Sequence, residues 1–282
     1  MPRQKRVAAI HDISCFGKCS LTVALPIISS AGVEVSVIPT AVLSTHTGGF
    51  TDYTYRDLTD DILPIARHWQ SLHVPFDAVY TGFLGSFAQL GIVSDVCEML
   101  KSDGTLIVVD PVMADNGMLY AGFSDDFPTG MQTLCRKADV LVPNMTEAFL
   151  LLGEPFTPGP YSVSTIERLL YSLGALGPKK VVLTGVYFDA LKLGAACFDT
   201  TSGQIDYCFA DRIDGFYHGT GDVFASTLTA GLLTAHSLAS AAQIAVDFTV
   251  ESIARTKKAG TDVRYGVNFE AGLPSLSQRL LR

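Results

Sequence analysis

The run Gly215-Phe216-Tyr217-His218-Gly219-Thr220-Gly221-Asp222 leads directly into an apolar, helix-forming stretch, 223–233. A glycine-rich turn that opens a helix exposes several N–H groups, and the helix dipole adds partial positive charge there. Such a turn suits a phosphate, or the charge that builds on a phosphoryl group in flight. Asp222 falls in the first turn of this helix and has two readings. It is an N-cap, a common use of Asp, or a base that takes the proton of an attacking hydroxyl. A second constellation is acidic. Asp110-Pro111-Val112-Met113-Ala114-Asp115 and Pro143-Asn144-Met145-Thr146-Glu147 each continue an apolar run. Any one of these acids alone reads as a turn or cap residue. Together Asp110, Asp115 and Glu147 could share a hard cation, because Mg²⁺ takes one or two carboxylates with waters and substrate phosphates. His46 and His218 could be general bases or structural side chains.

Rival motifs fail. A Walker A loop needs G-x-x-x-x-G-K-[ST], but Gly17-Lys18 is followed by Cys19 and preceded by Asp12 where glycine belongs. No G-x-G-x-x-G follows the first strand, and no G-x-S-x-G elbow exists.

The elements that must position these residues alternate. Strands are expected at 7–10, 33–39, 78–81, 105–110, 140–142 and 180–184, and helices at 21–28, 57–72, 86–101, 128–137, 146–152 and 163–173. Asn144 or Thr146 could cap the helix at 146. A hairpin is expected over 191–198 and 205–209, then helices at 222–235 and 238–256. The polar, glycine-rich segment 44–55 reads as loop, as does proline-rich 154–161. Repeated β–α alternation implies a mainly parallel sheet with helices on both faces and an antiparallel edge. Ligands in such folds sit beyond the carboxyl ends of the strands, where His11-Asp12, Asp110, Asn144 and Thr184-Gly185 fall. No repeat or long linker divides the chain, so one domain over 1–282 is expected.

Composition sets limits. With 48% hydrophobic and 17% charged residues the chain is globular. A net charge of −8 argues against nucleic acid as a partner. The six cysteines are scattered without a C-x-x-C pair, so they read as reduced, small apolar residues rather than a zinc site. The basic N-terminal stretch is followed by an apolar run too short for a signal peptide, and no run approaches a membrane span. A cytoplasmic protein without a membrane partner is expected.

These residues resemble a known family. Gly219-Thr220-Gly221-Asp222 before a long helix is similar to the signature of ribokinase-like kinases, and Asn144-Met145-Thr146-Glu147 to their N-x-x-E element. Asp110-Pro111-Val112-Met113 resembles the D-P-V-[ML] element of the vitamin-kinase branch. Ser44-Thr45-His46-Thr47-Gly48 and Thr81-Gly82-Phe83-Leu84-Gly85-Ser86 are similar to segments of pyridoxal kinases. The match is collinear from Val7 to about Lys258. It implies a single-domain three-layer α/β/α sandwich and transfer of the ATP γ-phosphate to the 5′-hydroxymethyl group of pyridoxal, pyridoxamine or pyridoxine. It implies Asp222 as general base and the N–H groups of Gly219, Thr220 and Gly221 as the anion hole. Asp110 and Glu147 would hold Mg²⁺, largely through water, with Asp115 near the ATP phosphates. Asn144, Thr184 and Gly185 would line the nucleotide site, with Lys257 and Lys258 passing the adenine. Asp12, Val42, His46, Thr47 and Phe83 would line the vitamin pocket. Members are typically homodimers, and several use a monovalent cation such as K⁺. Two departures touch the pocket: Asp12 stands where well-known pyridoxal kinases carry Ser, and Phe83 where Tyr is common. A carboxylate at position 12 is expected to favour a cationic amine, as in pyridoxamine, or a protonated ring nitrogen.

Rival assignments remain. A hydroxymethylpyrimidine kinase is a sister activity on this fold, but the Ser-Gly-Gly-Ala-Gly run of that branch is missing. A sugar kinase would carry a Gly-Gly-Ala region near the first helix. A non-catalytic B6-binding protein on the same scaffold would not need Asp222.

Overall fold

The computed structural model describes residues 3–281. Met1, Pro2 and Arg282, the ends of the expected domain, lie outside the described residues. In chain order the elements are β1 (Arg6–Ser14), α1 (Leu21–Ser30), β2 (Glu34–Leu43), β3 (Tyr55–Asp57), α2 (Thr59–Ser71), β4 (Ala78–Thr81) and α3 (Phe87–Leu100). Then come β5 (Leu106–Val109), β6 (Ala114–Asp115), β7 (Met118–Leu119), α4 (Phe127–Cys135), β8 (Val140–Leu141), α5 (Met145–Leu151), α6 (Val163–Gly174) and β9 (Lys180–Val186). The chain closes with β10 (Lys192–Asp199), β11 (Ile205–Asp211), α7 (Thr220–Leu233), α8 (Leu238–Ala259) and α9 (Leu273–Leu280).

Nine strands form one sheet in the order β11-β10-β9-β8-β5-β4-β1-β2-β3. The six strands from β9 to β2 pair in parallel, whereas β3, β10 and β11 run antiparallel at the two edges. Central strands such as β5 (LIVV) are apolar throughout because both faces are covered. Their side chains alternate between two cores. Ala8, Val79, Ile107 and Leu141 pack with residues of α2 to α6. Val7, Tyr80, Val108 and Val140 pack with α1, α7, α8 and α9. This is the expected three-layer α/β/α sandwich. Parallel strands place their carboxyl ends on one edge of the sheet, which becomes the floor of the site.

Several local expectations change. The segment read as loop over 44–55 ends in the short strand β3, which pairs Leu43 with Tyr55 and delays the following helix to Thr59. The hairpin β6–β7 and helix α9 were not expected. Residues 11–14 continue β1 rather than follow it, so Asp12 lies within the strand. All six cysteines are free. Among the described residues no helix is long and apolar enough to cross a membrane.

Candidate active site

Helix α7 starts behind Gly219, which adopts a left-handed conformation (φ 75°) and offers no side-chain cap. Asp222 is therefore the third residue of the helix, and the reading of Asp222 as the cap is corrected. The glycine is required twice over. Its φ disfavours any L side chain, and a Cβ would clash with the Lys18 carbonyl oxygen. Gly221 borders open space, with nothing within 4 Å of a notional Cβ. The Thr220 hydroxyl donates to the Tyr217 carbonyl at 3.2 Å, steadying the turn. With no capping side chain, the first N–H groups of α7 are left for an anion. Burial pushes the Asp222 carboxyl up to about 7. The nearby Asp12 charge adds to this, and the backbone of Ser20 opposes it.

Asp12 sits where β1 slips against β2. The register passes from His11 opposite Pro39 to Ile13 opposite Val42. The extra residue is on β2, where Thr40 and Ala41 together oppose Asp12, and Asp12 is 4% exposed. Its Oδ1 accepts the Ser20 hydroxyl at 2.5 Å and its Oδ2 accepts the Ser14 hydroxyl at 3.0 Å. Burial raises its proton affinity and the two hydroxyls oppose the rise. Val42 lies beside this bulge, between Ile13 and Arg56 of β3. The Gly48 N–H donates to His46 Nδ1 at 3.0 Å, so Nε2 carries the proton and donates to the Arg264 carbonyl at 2.6 Å. With both nitrogens engaged, His46 ties the 44–50 loop to the 262–266 segment, and its general-base reading is set aside. Its ring lies 5.1 Å from that of His218. Thr47 is exposed on the same loop, and Phe83 packs on Phe123 at 5.6 Å. Tyr55 was missed by the sequence reading. A Cβ on Gly85 would lie 2.8 Å from its hydroxyl, which places Tyr55 over the β4–α3 turn.

On the nucleotide side, Asn144 and Glu147 form a full capping box at the start of α5. Glu147 Oε2 accepts the Asn144 N–H at 2.9 Å, and Oε1 accepts the Met113 N–H at 3.1 Å. The Asn144 amide donates to the Ala114 carbonyl at 2.8 Å, so its polar ends are committed to holding the turn. Burial pushes Glu147 up to about 8, against those N–H groups. Asp110 is 8% exposed and is driven well up by burial, then by the charges of Glu147 and Asp222. Asp115 accepts its neighbour's Asn116 N–H at 2.8 Å. Among the described residues no Lys, Arg or His forms an ion pair with any of these acids. Mutually repelling, unpaired carboxylates fit a cation brought from outside. However, no group of three or more metal-ligating side chains converges among the described residues. A cation shared by Asp110, Asp115 and Glu147 would therefore be held at least partly through water, as the resemblance implies. Each Glu147 oxygen already holds one N–H group, which leaves one lone pair on each for an ion or its waters.

Thr184 bridges to Asn144 and donates its N–H to the Pro143 carbonyl at 2.9 Å. Gly185 (φ 77°) is the extra residue of a bulge against β10, exposed at the strand end. Lys258 lies exposed in the last turn of α8, and no hydrogen bond or ion pair ties it to Asp222, Asp110 or Glu147 among the described residues. A cavity of about 380 Å³ lined by Glu154, Pro158, Tyr161 and Arg168 contains none of the expected site residues.

Comparison with known proteins agrees with this geometry. The phosphomethylpyrimidine kinase family matches residues 27–267. The pyridoxine/pyridoxal/pyridoxamine kinase of Bordetella avium (strain 197N) is 27% identical over 90% of this chain and 86% of its own. The crystal structure of pyridoxal kinase from Lactobacillus plantarum superposes with a TM-score of 0.88 at 33% identity, covering 97% of both chains. A Bacteroides thetaiotaomicron protein, provisionally named a phosphomethylpyrimidine kinase and crystallised with pyridoxal, gives 0.92 at 38% identity, covering 97% of this chain and 96% of that one. This chain belongs to the phosphomethylpyrimidine kinase family of the ribokinase-like superfamily, among its vitamin B6 kinases.

Proposed function

We propose that this single-domain enzyme uses ATP to phosphorylate the 5′-hydroxymethyl group of a vitamin B6 vitamer, with Asp222 as the general base. The observation that carries the reading is the pairing of a proton-seeking carboxylate with an uncapped helix terminus one turn away. Asp222 accepts the hydroxyl proton. The N–H groups of Gly219, Thr220 and Gly221 hold the charge on the transferring phosphoryl group. Phosphoryl transfer is mostly positioning and charge neutralisation, and a rigid helix start supplies both. Asp110, and Glu147 through water, would hold Mg²⁺, which neutralises phosphate charge when bound. Thr184, Gly185 and Asp115 border the nucleotide phosphates, Asn144 sets their floor, and Lys258 lies toward the adenine. Val42, His46, Thr47 and Phe83 enclose the vitamin ring. A cytoplasmic homodimer with K⁺ as an activating ion completes the proposal.

The test is ADP release with Mg-ATP and each of pyridoxal, pyridoxamine, pyridoxine and hydroxymethylpyrimidine. Asp222→Asn is expected to lower kcat with the preferred vitamer by roughly 10³-fold or more, with ATP binding retained. Near-normal turnover in that variant rules out the base. Preference for hydroxymethylpyrimidine would move the chain to the sister activity.

A further inference from the structure

We propose that Asp12 is a positioning residue for the transfer site: it fixes Ser20 in a strained conformation, and with it the Lys18–Ser20 turn that packs against Gly219 at the start of the helix carrying Asp222. The inference rests on the reading of Asp222 as base and gives Asp12 a role other than direct contact with the vitamer. Four observations support it.

First, Ser20 has φ 53° and ψ −128°, a region costly for a residue with a side chain. Such strain persists only where the surroundings over-determine it. Second, Ser20 is the N-cap of α1, a position where serine normally caps with its own hydroxyl. Here it makes no side-chain cap bond. The hydroxyl goes instead to Asp12 Oδ1 at 2.5 Å. Third, the backbone turn that carries Ser20 is packed against the anion hole. A Cβ on Gly219 would clash with the Lys18 carbonyl oxygen and lie 3.6 Å from Cys19 Sγ. The same turn is held from behind. The Lys18 N–H donates to the Tyr265 carbonyl at 3.1 Å, and Lys18 Nζ reaches Asn268 Oδ1 at 3.0 Å. Fourth, Asp12 is 4% exposed and both its oxygens hold serine hydroxyls, so little of it is offered to a ligand. The Ser14 hydroxyl fixes the carboxylate plane from the other side. Asp12, Ser20, the Lys18–Ser20 turn and Gly219 thus form one line of support, which ends at the start of the helix that carries Asp222.

The experiment is a double-mutant cycle on the full chain, with kcat and KM measured separately for pyridoxal and Mg-ATP. Asp12→Ala and Ser20→Ala are each expected to lower kcat by about 10²-fold, the cost of a misplaced reacting group, with both KM values within about twofold. The double variant is expected to be no worse than either single one, because both act through the same contact. Asp12→Asn keeps an oxygen acceptor for the Ser20 hydroxyl and is expected to recover most of the lost kcat, a rescue that a purely structural role for charge would not give. If Asp12→Ala does not fold, Ser20→Ala and Asp12→Asn still decide the matter. Additive losses, a raised KM for pyridoxal with kcat kept, or an Asp12→Asn variant as poor as Ser20→Ala would each overturn the proposal. Asp222→Asn, assayed alongside, separates the two claims. If it turns over, the base assignment fails. If it is dead while the cycle is additive, only the role of Asp12 fails.

Discussion

Glu147 and Asp222 hold the same place in two helices, the third residue of α5 and of α7, and burial raises the proton affinity of both. They differ in what precedes them. Asn144 caps α5, and Glu147 returns the favour to the Asn144 N–H, so the helix start is closed. Gly219 cannot cap α7, so that helix start stays open and Asp222 has no backbone partner in its own turn. The difference shows that an acid in a first turn is assigned by its cap. A side chain at the N-cap turns the acid into a strut, whereas a glycine there leaves it for chemistry.

The contrast can be broken by experiment. Glu147→Ala strands two N–H groups and should cost about 2–4 kcal/mol in urea unfolding, with Asp222→Asn costing less in the same assay. Equal costs would show that both acids are struts. The pH profile is the next test. Asp222 works as a base only when ionised, and its value of about 7 lies above the ordinary carboxylate range. The ratio kcat/KM should therefore be flat above about pH 7 and fall about tenfold per unit below it. An acid limb near pH 4 would mean that the site does not desolvate Asp222. The smallest effect is expected from Asn144→Ala, which removes the cap of α5 and should cost about 1 kcal/mol in thermal unfolding. A much larger loss would mean that the Asn144–Ala114 tie carries more than the cap does.

Much of this architecture could be read from the chain because period and punctuation agree with it. Strand β4 falls where the run Ala78-Val79-Tyr80-Thr81 predicts it, and the β10–β11 hairpin is joined at its expected turn. Short pairings were not legible. Strand β3 has three exposed residues, and β6 and β7 have two each, too few to show alternation. Helix α9 buries only Leu276 and Leu280, too sparse a stripe to stand out. In the site, Gly219 to Asp222, Asp110 and Glu147 could be found from type and spacing. The surroundings of Asp12 could not, because they depend on a slip in the pairing with β2, where Thr40 and Ala41 together oppose it. The diversion of the Ser20 hydroxyl was equally hidden, since local sequence predicts an ordinary cap.

The turn at Lys18–Ser20 touches Gly219 and is bound by Val267, Asn268 and Glu270, about 250 positions away along the chain. Closing so long a loop adds little to the equilibrium cost, because that cost grows only with the logarithm of length. Its weight falls on timing, since distant contacts form late. During synthesis the first turn leaves the ribosome long before the helix it must support. A half-made chain therefore has no assembled transfer site and consumes no ATP. After dilution from denaturant, phosphorylating activity should return with the last docking step, later than the bulk of the helical signal.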